Sequence, residues 1–170
     1  MTNVAGIEVP STSPIFLAIV ALHILLGLVC VLTGAVAMLS PKRRGRHPDF
    51  GTIYFWCLSG AVALATGLSV ARWIRDYPLF VLGVLSFAAA LAGRTARRRR
   101  RSGWIRWHIT GMGMSYVLML TAFYVDNGKS LPLWKDLPAI SYWLLPIAVG
   151  GPVIVRALLR HRAASGLEAL

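Results

Sequence analysis

Three histidines, His23, His47 and His108, and a few tyrosines make up most of the polar chemistry that this chain carries in or at the edges of its apolar stretches. His47 and His108 head two short elements of similar pattern, HPDFGTIY and HITGMGMSY. On a helix, positions i, i+4 and i+7 share one face. His47, Gly51 and Tyr54 therefore form one polar stripe, and His108, Met112 and Ser115 form another, with Tyr116 beside it. A neutral imidazole can ligate a haem iron or other metal, or take part in a hydrogen bond. Two such faces suit haem b held by His47 and His108, or a quinone, lipid headgroup or small apolar ligand with Tyr54 and Tyr116 as further donors. A plainer reading makes His47 a cap. Pro48 suits a first helical position and Asp49 the positive end of the helix dipole, which would leave His47 just outside. His108, next to Trp107, would then belong to an interfacial belt.

His23 is a separate case. It lies eight residues into the first apolar stretch, about 12 Å deep at 1.5 Å per residue. An ionisable group at such depth marks a functional site by default. Its candidate partners are Arg72, Arg75 and Asp76; the bland alternative is a neutral ring bonded to a carbonyl or hydroxyl of a neighbouring helix.

These residues sit in a chain of 170 amino acids that is 56% hydrophobic and only 14% charged. Lipid solvates such a surface, and water does not. Five stretches are long enough to span a bilayer, at about 15–39, 50–71, 77–94, 106–125 and 137–156. Short connections make neighbouring helices antiparallel. The expected fold is a single all-α domain, a bundle of five transmembrane helices. No cleavable signal peptide is expected, because the N-terminus lacks a basic region and the first apolar run is too long.

Charge sets the orientation. Counted on alternate sides of the five spans, one side holds fourteen cations against two acids, and the other four against four. The whole net charge of +12 thus falls on one face. Basic short loops stay in the cytoplasm, so the N-terminus is expected outside and the C-terminus inside. Trp73, Tyr77, Tyr124 and Trp134 then mark the outer boundary, and Trp104 and Trp107 the inner one.

The densest charge is RTARRRRRSG, between the third and fourth spans, with Arg94, Arg97, Arg98, Arg99, Arg100 and Arg101. It fits a topology determinant in contact with anionic lipid, or a docking point for an acidic membrane partner. Nucleic acid is not expected, since no aromatic platform accompanies the charge. Gly27 and Gly34, and likewise Gly60 and Gly67, are spaced by seven residues and suit close helix packing. GMGMS reads the same way, because it follows no strand. Pro146 and Gly150-Gly151-Pro152 are expected to interrupt the fifth helix. Cys30 and Cys57 fall in apolar segments and read as small hydrophobes. No phosphate-binding glycine loop, Cys/His cluster or intramembrane carboxylate pair is present in the sequence, so the chain does not read as a hydrolase or nucleotide enzyme.

The pattern resembles a family of uncharacterised bacterial multi-pass membrane proteins, catalogued as a predicted membrane protein domain of unknown function. The resemblance rests on His23, then His47, Gly51 and Tyr54, then His108, Met112, Ser115 and Tyr116, and covers the first to the fourth helix. It implies a multi-pass fold in the bacterial inner membrane. The chain departs from the family pattern at Pro48 and Ile109, where a basic residue often follows each histidine. The readings carried forward are non-catalytic binding of a lipid, quinone or small apolar ligand, or an accessory role in a complex or homo-oligomer. A haem-b electron-transfer subunit using His47 and His108 is the alternative, and a structural subunit docking an acidic partner through Arg97–Arg101 is the third.

Overall fold

The structure is a computed structural model; it describes the backbone except at residues 1, 5–6, 10–12, 43–44, 72, 133 and 168–170, and describes no side chain within 1–12, 70–75 or 163–170. Arg72 and Arg75 of the second candidate site thus lie outside the described side chains. The described residues contain helices α1 (Pro14–Leu39), α2 (Arg46–Ala71), α3 (Trp73–Arg99), α4 (Trp104–Asn127) and α5 (Ala139–Leu167). All five are long and apolar enough to cross a membrane. One element was not expected from sequence: β1 (Thr2–Val4) and β2 (Ile7–Val9) pair antiparallel, with Thr2 opposite Val9.

Two compact units divide the chain at Val81 and Leu82. The first contains α1 and α2, and the second α4 and α5; α3 begins in the first and continues in the second. In both, large apolar side chains face outward, as Ile24 (63% exposed), Leu28 (55%) and Val149 (66%) illustrate. Most of the fully buried positions are instead small or polar, among them Cys30, Ser86, Ala90 and Ser115, with Leu58 a large apolar side chain beside them. That inversion suits lipid, where helices are held by close packing and hydrogen bonds rather than by hiding oil from water.

Local chemistry explains most helix ends. Ser13 caps α1 by accepting from the Phe16 amide at 3.2 Å, ahead of Pro14 in the first turn. At the other end the Lys42 ammonium donates to the carbonyls of Ala37 (3.0 Å) and Met38 (2.6 Å), where the helix dipole favours a cation. Burial holds this ammonium below the usual lysine value. α3 outlasts its expected end: Arg97, Arg98 and Arg99 form its last turn, because arginine propagates helix well and suits the negative end of the dipole. Arg100, at φ 46°, turns the chain out of the helix while its amide bonds Ala96 O at 3.0 Å.

Two expectations are corrected. α2 starts at Arg46, so His47 lies inside its first turn rather than ahead of it; Pro48 is tolerated because amides there have no intrahelical acceptor. α5 runs unbroken through Pro146 and Pro152. Several hydroxyls are satisfied within their own helix: buried Thr33 and Thr121 and half-buried Ser59 and Thr66 each donate to the carbonyl four residues earlier. Among the described residues, no buried side-chain nitrogen or oxygen lacks a partner.

Candidate functional site

Small residues let the helices of each hairpin meet. Cys30, Gly34 and Ala37 are buried on α1, and Ser86, Ala90 and Gly93 are buried at the same spacing on α3. Among the described glycines, backbone comes closest to the backbone of another helix between α3 and α4. A Cβ on Gly111 would stand 2.7 Å from both Ala89 O and Gly93 N, and one on Gly93 would stand 2.9 Å from Met112 N. Gly113, on another side of α4, would meet Ile154 of α5 at 2.6 Å. GMGMS is thus a packing element on two faces, as expected. The expectation for Gly27 and Gly67 is corrected, since a Cβ on either would touch nothing within 4 Å.

Upon these seams lie polar rungs. His47 Nδ1 is 2.8 Å from Ala37 O, and His108 Nδ1 is 3.0 Å from Gly93 O. A carbonyl only accepts, so Nδ1 is the donor in both rings. In a neutral ring the lone pair then resides on Nε2. Seven residues away along both helices of each hairpin comes a second rung. In the first hairpin Cys30 Sγ donates to Tyr54 O at 3.7 Å; in the second Ser86 Oγ donates to Ser115 O at 2.8 Å. Cys30 precedes Ala37 by seven and Tyr54 follows His47 by seven; Ser86 and Ser115 stand in the same relation to Gly93 and His108.

His23 makes a third rung in the first hairpin, its Nδ1 3.0 Å from Ala61 O, a further seven residues along each helix. The corresponding position on α3 is Leu79. His23 is therefore one step of a regular ladder between α1 and α2. The structure gives it the bland partner considered for it, a carbonyl on a neighbouring helix.

The stripes read from sequence thus each serve a seam of their own hairpin. His47 and Tyr54 bond to α1 through a ring nitrogen and a backbone carbonyl, with the Tyr54 side chain 2% exposed. His108, Met112 and Ser115 pack toward α3, with Ser115 wholly buried, while Tyr116 is half-buried on α4. Sequence reasoning missed Cys30, Ser86 and the carbonyls of Ala37 and Gly93. The repeated small-residue spacing 30, 34, 37 and 86, 90, 93 was the available signal. Arg97 to Arg101 are exposed, Arg94 is half-buried, and the Arg100 guanidinium lies 5.9 Å from the Trp104 ring centroid. Asp76 opens α3 in its first turn. Among the described residues, no three His, Cys, Asp or Glu side chains gather to hold a metal ion.

Neither a curated protein nor a solved structure matches the chain. A family model does, over residues 20–157, a stretch that holds every rung described above. The chain therefore belongs to the DUF2306 family of predicted membrane proteins.

Proposed function

We propose that this membrane protein is a non-catalytic binder of a membrane-soluble ligand, with His47 in the first compact unit and His108 in the second each offering a site of its own. The observation carrying this reading is the donation by Nδ1 of each ring to a backbone carbonyl, at 2.8 and 3.0 Å. That bond leaves the neutral ring a Lewis base at Nε2. Such a base suits a hydroxyl donor, as on a quinol, better than the carbonyl of an oxidised quinone, which itself needs a donor. Titrating the purified full chain with a short-chain quinol and with its quinone tests this. The quinol should bind more tightly and lose affinity in His47→Ala and His108→Ala. Equal binding of both redox forms, indifferent to these variants, would contradict it.

Haem b is the second reading, and the same bond favours it. A ligating histidine typically donates its other ring N–H to a carbonyl or carboxylate, which fixes tautomer and orientation. Expression with haem supplementation should then give a Soret band that is lost in the alanine variant of the ligating histidine, His47→Ala or His108→Ala; a colourless preparation excludes it. The third reading, an acidic partner docked on Arg97–Arg101, draws support from the exposure of that run. Replacing all five with Gln should release the partner from co-purification. Orientation follows the charge asymmetry: N-terminus outside, C-terminus in the cytoplasm, in a bacterial inner membrane.

A further inference from the structure

Where the basic end of α4 meets α5, a cleft of about 420 Å³ is lined by Gly103, Arg106, Trp107, Thr110 and Leu158. Its wall changes character over a short distance. Arg106 offers a planar fork of donors that matches a phosphate bidentately. Trp107, 67% exposed, presents an apolar ring with one N–H donor. Thr110, one turn further into the span, adds a hydroxyl, and Leu158 on α5 supplies an apolar surface. The first turn of α4 carries no acid to compete for the guanidinium. Gly103 enters the helix at φ 72° as a cap without a side chain, so none intrudes on the cleft from that position. The volume falls in the range of small-ligand sites.

We propose that this cleft binds the headgroup phosphate of an anionic phospholipid, with Arg106 on the phosphate and the lipid's upper acyl chain along Trp107 and Leu158. A free phosphate ester would use Arg106 and Thr110 but gain nothing from the apolar wall. A phospholipid uses both, and the cleft lies at the end of a span, where headgroups are. This is a localised site, distinct from the diffuse attraction of the arginine run to a charged surface. It is independent of the histidine rungs.

The test uses the full chain in nanodiscs of phosphatidylcholine with a minor share of phosphatidylglycerol, and counts retained lipid by native mass spectrometry. The wild type should retain phosphatidylglycerol over phosphatidylcholine, and Arg106→Gln should weaken that retention about fivefold. Arg106→Lys should keep part of it, and Trp107→Leu should weaken it while leaving net charge unchanged. Arg46→Gln, the same charge change at an exposed position on α2, should leave retention intact. Equal loss in Arg106→Gln and Arg46→Gln would replace the site by a general field and overturn the proposal. So would equal retention of the two lipids, or no effect of Arg106→Gln in a variant that stays folded by circular dichroism. Displacement by soluble glycerol phosphate at matched concentration would overturn the assignment to lipid.

Discussion

His108 Nδ1 lies 3.0 Å from the carbonyl oxygen of Gly93, tying the start of α4 to the end of α3. His47 stands in the same relation to Ala37 at 2.8 Å, and a second bond follows seven residues along in either hairpin. Two hairpins of different sequence thus share one pattern of interhelical hydrogen bonding.

The first prediction concerns glycine. Gly111→Ala places a Cβ against backbone atoms of Ala89 and Gly93, which cannot rotate away. The variant should be less stable by about 1–3 kcal/mol or more. Gly27→Ala and Gly67→Ala meet open space and should be neutral or stabilising by up to about 1 kcal/mol. Reversible unfolding in mixed micelles checks the contrast.

The second compares the inner rungs. Ser86 is 1% exposed and bonds Ser115 O at 2.8 Å, whereas the Cys30 thiol, a weaker donor, reaches Tyr54 O at 3.7 Å. Ser86→Ala should cost about 0.6–1.7 kcal/mol, the range of interhelical hydrogen bonds in membranes. Cys30→Ala should cost less through lost hydrogen bonding, with Cys30→Ser as the packing control in the same assay.

A third prediction lies in the connection between α4 and α5. Tyr142 Oη donates to Trp134 O at 2.8 Å, Trp134 meets Tyr124 edge to face at 5.5 Å, and Gly128 leaves room for the Tyr142 ring. Tyr142→Phe should lose about 1 kcal/mol. Gly128→Ala, whose Cβ would stand 2.6 Å from that ring, should lose more. Protease susceptibility of the segment 128–138 should rise in both.

A fourth concerns threading. With α4 crossing the bilayer, single cysteines at Arg100 and Lys129 in a background lacking Cys30 and Cys57 should react with impermeant reagent from opposite compartments, Lys129 from outside. Labelling of both from one side would overturn the topology.

Sequence revealed the spans because charge-free stretches of bilayer length are a property of side chains alone. It placed the start of α2 too late because His47-Pro48-Asp49 has the composition of a cap, although a proline that early in a helix forfeits no bond. It expected a break in α5 because proline removes a donor, yet the helix continues past both prolines. The matching histidine stripes were visible as a periodicity. Their partners were not: Ala37 and Gly93 contribute backbone carbonyls, which every residue has, so no residue type advertises them. Close contact between Gly93 and Gly111 was equally hidden, since the two lie on different helices with no shared spacing.

The proposed ligand chemistry depends on which nitrogen of each imidazole carries the proton. Nitrogen-15 NMR of histidine-labelled protein in nanodiscs, above the pH at which the rings protonate, reads this directly. The signals of His47 and His108, assigned by single His→Gln variants, should show the Nδ1–H tautomer with an unprotonated Nε2. Protonation at Nε2 instead would leave Nδ1 no proton to donate, break both hydrogen bonds and contradict the rungs, along with the ligand chemistry built upon them.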